Sequence, residues 1–202
     1  IELNQTNGKW HILKKHADIV PIGNVQADNE ILAYMEELEF STQHWLDEPT
    51  GFIEGDMTIN NPFHARLSKH PFIQFIQNVQ MEASGVDISV TSLLNNESKG
   101  FQSVVTMRDI VFNYMYPNTL VVLELTGKDI KQALEKSAEY FTIDENGEIV
   151  VNPTYMEPKP QHYNYDMWEG IQYTIKVSNP VGTRIVNLSY HGQPLKNEGK
   201  YK

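Results

Sequence analysis

Histidines and carboxylates are the residues of this sequence that could bind a catalytic metal or transfer a proton. A binuclear hydrolytic centre needs imidazole and carboxylate ligands at close spacing, usually on loops that follow strands. No Asp-x-His, His-x-His or Asn-His-Asp/Glu sequence occurs, and the nearest cluster, His16-Ala17-Asp18, has the wrong order. We therefore interpret the histidines as surface or packing residues. They are His11, His16, His44, His64, His70, His162 and His191.

Nucleophilic catalysis also lacks a supporting pattern. There is no cysteine, which excludes thiolate chemistry, a disulfide framework and a thiolate metal site. No Gly-x-Ser-x-Gly elbow is present, and Ser84-Gly85 and Ser98-x-Gly100 are typical of loops. No glycine pattern of the phosphate-cradling type occurs. The sequence therefore predicts no autonomous active site.

Composition narrows the classes of partner. The chain has 202 residues, 40% of them hydrophobic, and a formal net charge of −10, so it can bury a core but offers no basic stripe to displace counterions from duplex DNA. The acidity favours solubility and does not exclude the binding of a single small ligand.

No apolar run approaches the ~20 residues that span a bilayer. The absence of cysteine fits an exported bacterial protein, and the start at Ile1-Glu2-Leu3-Asn4, without a signal peptide, suggests a processed or excised piece.

Periodicity predicts alternating helices and strands. Caps and apolar spacing indicate a helix from Asp28 to Leu46, a second from Pro71 to Ala83, and a short one from Met107 to Tyr114 with Thr106 as its cap. A fourth begins at Thr126-Gly127-Lys128-Asp129 and carries an apolar stripe. Strands are predicted at 9–22 (with its exit), 85–94, 118–125, 171–177 and 183–190, with a turn at 144–147 and a final hairpin that leads to Tyr201.

Three stretches carry a resemblance to a known family. They are Tyr114–Ile130, which contains Tyr-Met-Tyr-Pro-Asn-Thr followed by a buried-strand pattern; Tyr163–Tyr173; and Pro180-x-Gly182-x-Arg184-Ile185 followed by Gly192-Gln193-Pro194. In order and spacing they resemble the C-terminal domain of the 5′-nucleotidase superfamily, most closely the bacterial 2′,3′-cyclic-nucleotide 2′-phosphodiesterase/3′-nucleotidase branch. The resemblance covers nearly the whole chain and is weakest over residues 40–83.

The resemblance implies the fold and the domain organisation. We expect an α+β fold with a mixed sheet flanked by helices, truncated at its C-terminal end. Residues 1–26 would be the terminal strand and exit of a metallophosphoesterase domain, 27–50 a connecting helix, and 51–202 an incomplete nucleotide-specificity domain.

The resemblance also implies activity and partners. The parent enzyme would be extracytoplasmic and would hydrolyse 2′,3′-cyclic nucleotides and 3′-nucleotides with two divalent metal ions in its N-terminal domain. This chain would contribute no catalytic residue and no metal ligand. Its partners would be the nucleotide or nucleoside and the N-terminal metallophosphoesterase domain of the same parent chain. Duplex DNA and a membrane span are not expected.

The expected binding residues lie in two segments. In the family the base is clamped between two aromatic rings, and the resemblance places the first at Tyr116, before Pro117-Asn118; the second would lie beyond Lys202. A base stacked on one aromatic face gains about 1–3 kcal/mol, and Asn118 can both donate to and accept from a base edge. The loop with Asn95, Asn96 and Lys99 is expected near the ribose and phosphate.

Several alternatives remain open from the sequence. Specificity for 5′-nucleotides or nucleotide sugars fits the same superfamily, and a non-catalytic surface binding module is a candidate of another class. Arg108 is interpreted as a surface ion-pair partner and Asp166 as part of a strand lead-in. Arg66 has no assigned role.

Overall fold

The computed structural model describes residues 1–202. They divide into two compact units, Ile1–His44 and Trp45–Lys202. Helices and short antiparallel strand pairs make up both units, and the predicted α+β class is confirmed. None of the helices combines the length and apolar character needed to cross a membrane.

Four of the five α-helices were expected from the sequence. The α-helices are α1 (Asn29–Asp47), α2 (Pro62–Leu67), α3 (Pro71–Ser84), α4 (Met107–Asn113) and α5 (Gly127–Ala138), and two short 3₁₀ turns occupy Pro153–Tyr155 and His162–Asn164. The missed helix is α2, whose six residues are too few to show a period. Asn61 caps it, because its side chain accepts from the backbone N–H groups of Phe63 and His64.

The strands are short, and every pair is antiparallel. They are β1 (Glu2–Thr6), β2 (Lys9–Lys14), β3 (Pro49–Phe52), β4 (Met57–Thr58), β5 (Ser89–Ser92), β6 (Gly100–Phe101), β7 (Val104–Thr106), β8 (Leu125–Thr126), β9 (Phe141–Ile143), β10 (Ile149–Val151), β11 (Asp166–Glu169), β12 (Ile171–Ile175), β13 (Ile185–Tyr190), β14 (Gln193–Pro194) and β15 (Lys200–Tyr201). The pairs are β1–β2, β3–β7, β4–β6, β5–β11, β8–β15, β9–β10 and the three-stranded β12–β13–β14.

The first unit begins with a hairpin. Strands β1 and β2 meet at Asn7-Gly8, where both residues have positive φ (52° and 74°), the requirement of a type I′ turn. The sequence predicted only the second strand. The Oδ1 of Asp28 accepts from the backbone N–H groups of Glu30 and Ile31 at 2.9 and 3.2 Å and caps α1, and no side chain of α1 is buried.

The second unit is built around two apolar clusters. The larger is rich in aromatic rings: Tyr140 is fully buried and stacks on Tyr165 with 5.0 Å between ring centroids. Phe72 of α3 meets Phe101 of β6 edge to face at 5.0 Å. The smaller cluster consists of Ile130, Leu134 and Ala138 of α5 with Ile171 and Ile185, which confirms the apolar stripe predicted for α5.

The strand predicted at 118–125 is wrong over most of its length. Only Leu125 and Thr126 form a strand, β8, paired with β15, while Val121 and Leu123 are 65% and 61% exposed. No strand of the chain pairs with residues 118–124. Because β-propensity is realised only against cross-strand neighbours, an apolar run without a partner stays irregular. The strand expected at 85–94 is likewise shorter than predicted, since only Ser89–Ser92 pairs with β11.

Candidate functional site

The loop after β5 is shaped by Asn95. Its side-chain Oδ1 accepts from the backbone N–H groups of Glu97 (2.8 Å) and Ser98 (2.7 Å), an Asx turn that replaces regular backbone pairing. Ser98 is almost fully buried. Polar side chains that could meet a ligand are thus carried by a loop of defined shape.

Gly100 anchors the end of this loop. Asn113, the last residue of α4, accepts from the N–H of Gly100 and donates to its carbonyl, both at 2.9 Å. Gly100 has φ +68°, and a Cβ built on it would lie 1.9 Å from the carbonyl oxygen of Met57. Only glycine fits both the left-handed conformation and this close approach.

The segment after α4 carries Tyr116. Thr106 and Asp109 form a reciprocal capping box at the start of α4, and the chain leaves the helix at Tyr114. Tyr116 is 54% exposed, and its carbonyl accepts from the N–H of Asn118 at 2.8 Å. This bond and the ring of Pro117 restrict the backbone that presents the tyrosine.

The structure brings the two predicted segments together. The Nδ2 of Asn95 lies 3.8 Å from the sulfur of Met115, the residue before Tyr116. Lys99 is exposed, its carbonyl accepts from the N–H of Ile59 at 2.8 Å, and its ammonium takes part in none of the chain's ion pairs. An exposed aromatic residue and a polar loop that carries a lysine thus share one region of the second unit.

Asn96 turns its carboxamide toward the protein rather than the solvent. Its Oδ1 accepts from Nη1 of Arg66 at 2.7 Å, and its Nδ2 lies 2.9 Å from Nε2 of His162. Both polar ends of the side chain are therefore occupied by protein partners.

Arg66 lies next to the 95–99 loop, and sequence reasoning assigned it no role. It is 2% exposed, and besides Asn96 its guanidinium donates to the carbonyls of Pro62 (3.1 Å) and Leu93 (2.9 Å). Its carbon Cζ lies 6.0 Å from the ring centroid of Tyr140, and its Nε is buried without a hydrogen-bond partner. Burial lowers the pKa of Arg66. The one available signal was a lone arginine inside Phe-His-Ala-Arg-Leu.

His162 completes this polar cluster. Its Nδ1 lies 2.7 Å from the hydroxyl of Tyr140. Burial, and then the positive charge of Arg66, lower the pKa of His162 below its ordinary value of 6.5. The imidazole therefore favours its neutral form more strongly than an exposed histidine does.

The other residues considered from the sequence have structural roles. Nε of Arg108 is 2.6 Å from Oδ1 of Asp47, which confirms the surface ion pair. Asp166 opens β11 opposite Ser92 of β5, as a strand lead-in would. Nδ1 of His70 accepts from the N–H of Phe72 at 3.2 Å and caps α3. No group of three or more His, Asp or Glu residues in the chain could hold a metal ion.

Comparison with known proteins identifies the family. Residues 49–202 match the family model of the 5′-nucleotidase C-terminal domain, so the chain belongs to that family. A candidate 5′-nucleotidase from Staphylococcus aureus, solved in complex with alpha-ketoglutarate, has a similar structure with a TM-score of 0.81 and 38% identity, over 89% of this chain and 34% of that one.

The curated relatives agree with the predicted branch. A 2′,3′-cyclic-nucleotide 2′-phosphodiesterase/3′-nucleotidase from Haemophilus influenzae is 26% identical over 98% of this chain. The trifunctional nucleotide phosphoesterase protein YfkN of Bacillus subtilis is 24% identical over 96% of this chain. The chain spans 36% of the length of the first relative and 15% of the second. The resemblance stated from the motifs is confirmed.

Proposed function

We propose that this chain recognises the nucleoside for a metal-dependent phosphoesterase that hydrolyses 2′,3′-cyclic nucleotides and 3′-nucleotides outside the cytoplasm. The half-exposed ring of Tyr116, beside the loop of Asn95 and Lys99, is the observation that carries this proposal. The names of the relatives support the reaction class.

Tyr116 acts as the stacking surface. A base laid on its exposed face gains about 1–3 kcal/mol, and the gain tolerates any base because each has a π face. The Tyr116–Asn118 backbone hydrogen bond and Pro117 keep the segment in one conformation before the ligand arrives. This pre-organisation lowers the entropic cost of binding.

The polar residues orient the rest of the ligand. The carboxamide of Asn118 pairs with a base edge. Lys99 offers a charge that attracts phosphate with little directional demand, and Nδ2 of Asn95 faces the Tyr116 segment. Asn96 contributes through the shape of the loop, because its own carboxamide is occupied by Arg66 and His162.

The metal chemistry belongs to another part of the parent in this proposal. The residues of this chain do not fit a divalent metal centre, since no cluster of three ligands exists. In the parent, an N-terminal metallophosphoesterase domain with two divalent ions would activate the attacking water. Alone, the 202-residue chain is expected to show no metal-dependent hydrolysis.

The test combines binding with hydrolysis. Adenosine and 3′-AMP titrated into the chain are expected to bind weakly, with chemical-shift changes around Tyr116. Tyr116→Ala should weaken binding about five- to hundredfold, as expected for one lost stacking contact. Tyr34→Ala, which removes an 86% exposed tyrosine from α1, serves as the matched control and should leave binding unchanged.

The parent protein with Mn²⁺ should favour 2′,3′-cyclic AMP and 3′-AMP over 5′-AMP. Chelator-sensitive turnover by the 202-residue chain itself would contradict the proposal that the metal ions lie in another domain of the parent. Binding that survives Tyr116→Ala would remove that residue from the site.

A further inference from the structure

A continuous hydrogen-bonded chain joins the protein interior to the loop at 95–99. It runs from Arg66 to Asn96 (2.7 Å), from Asn96 to His162 (2.9 Å) and from His162 to Tyr140 (2.7 Å). Arg66, His162 and Tyr140 are buried, whereas Asn96 is exposed apart from its inward carboxamide. The four residues come from α2, the loop, a 3₁₀ turn and the segment after α5.

The chemistry of these groups fixes the direction of each hydrogen bond. A guanidinium can only donate, so the atom of Asn96 that meets Arg66 is its oxygen. The amide nitrogen then faces His162 and must donate, so Nε2 of His162 must accept. The imidazole is therefore neutral and carries its proton on Nδ1, which donates to the hydroxyl of Tyr140. Arg66 thus sets the tautomer of a histidine that it does not directly bind.

We propose that Arg66 and His162 are positioning residues that hold the 95–99 loop in its ligand-binding shape through the carboxamide of Asn96. This inference rests on the proposed nucleotide-recognition function of the loop. Neither residue touches the ligand. Both act through Asn96 on Asn95 and Lys99, which belong to the same loop.

The loop has other attachments as well. Asn95 organises it internally through the Asx turn, and Gly100 is fixed by Asn113 at its end. Asn96 is the point at which a side chain of the loop is hydrogen-bonded to the buried Arg66 and His162. Releasing it would leave the loop held by the Asx turn, the buried Ser98 and the backbone hydrogen bond of Lys99, and would place Asn95 and Lys99 less tightly.

The arrangement depends on the protonation state of His162. If Nε2 is protonated, its N–H faces the N–H group of Asn96 Nδ2, and two donors meet without an acceptor. The imidazolium also places a second positive charge beside Arg66. The other titratable groups around the ring are phenols: Tyr140 bonds it, and Tyr155 and Tyr165 pack on Tyr140. Burial raises the pKa of all three phenols, so they stay neutral. Acidification is therefore expected to release the loop.

Two substitutions separate positioning from general stabilisation. In His162→Gln, the Gln oxygen can still accept from Asn96 but cannot be protonated. In Asn96→Asp, the carboxylate still accepts from Arg66 but now favours a protonated Nε2 on His162. The first variant should abolish the pH response, and the second should reverse it.

NMR titration of the His162 ring tests the tautomer without any ligand. In the unaltered chain its pKa should lie below 6.5, with the Nδ1–H tautomer at neutral pH. In Asn96→Asp the pKa should be higher than in the unaltered chain, because the carboxylate favours the protonated ring. Protection of the Glu97 and Ser98 amides, meaning exchange corrected for its intrinsic slowing at lower pH, should fall on acidification in the unaltered chain and stay constant in His162→Gln. An Nε2–H tautomer, or loop exchange indifferent to the state of His162, would overturn the inference.

Titration of 3′-AMP at pH 7.5 and 5.5 tests the link to recognition. Affinity should fall about two- to tenfold at the lower pH in the unaltered chain, the effect of one lost net hydrogen bond, and should fall less in His162→Gln. If no variant binds nucleotide while the ring and exchange results hold, the proposed function fails and the loop anchoring stands. If nucleotide binds equally well with the loop released, the positioning role is refuted.

Discussion

The carboxamide of Asn113 forms two hydrogen bonds with the backbone of Gly100, one donated and one accepted. This pair joins the end of α4 to the end of the 95–99 loop. The two segments expected to face the ligand are therefore coupled through this buried side chain as well as through the Asn95–Met115 contact.

Asn113→Asp should destabilise the second unit by about 1–3 kcal/mol. The new oxygen cannot donate to the carbonyls of Gly100 and Asp109 that Nδ2 of Asn113 now satisfies, and buried unpaired groups carry a penalty of that size. Urea unfolding at pH 7 measures the change. Asn60→Asp, at an exposed position, is the matched control and should shift stability by less than about 0.5 kcal/mol.

Gly100→Ala should destabilise the protein more than Gly85→Ala. The two glycines have nearly equal φ values, +68° and +70°, but only Gly100 has a backbone oxygen 1.9 Å from the new Cβ, while nothing lies within 4 Å of the Cβ at Gly85. The control therefore isolates the cost of the left-handed conformation, about 1–2 kcal/mol. Equal losses in chemical denaturation would contradict the steric argument.

Glu135 fixes the start of β13 from α5. Its two carboxylate oxygens accept from the backbone N–H groups of Arg184 and Ile185, each at 2.9 Å. Glu135→Gln replaces one acceptor by an amide donor and should lower stability by about 1–3 kcal/mol. Glu145→Gln in the exposed turn is the control, and thermal unfolding monitored by circular dichroism compares the two variants.

The cap of α5 should make stability sensitive to acid. Hydrogen bonds from Thr126 lower the pKa of Asp129 below 3.8. A carboxyl whose folded pKa is lowered contributes stability above its unfolded pKa, and that stability is lost as pH falls. Asp129→Asn should therefore lower the melting temperature at pH 7 and have a smaller effect at pH 2. A constant difference across this range would refute the linkage.

The sequence predicted elements whose signals are local. Thr106 and Thr126 each stand three residues before an aspartate, and both capping boxes form. The strand prediction at 118–125 was wrong because a strand needs a hydrogen-bonding partner. The residues of a segment do not show whether another segment will pair with it. The Arg66–Asn96–His162 cluster was missed for a related reason. Asn96 is 30 residues from Arg66 and 66 residues from His162 in the sequence. No short sequence motif can contain contacts at such separations.

The unpaired run Leu120–Leu123 has a practical consequence for handling the protein. Four branched aliphatic residues with free backbone groups and no proline are a nucleus for intermolecular sheet formation. The net charge of −10 keeps molecules apart at low ionic strength, but added salt screens that repulsion. Concentrated samples should therefore aggregate as salt is raised, and Val121→Lys should make them more resistant.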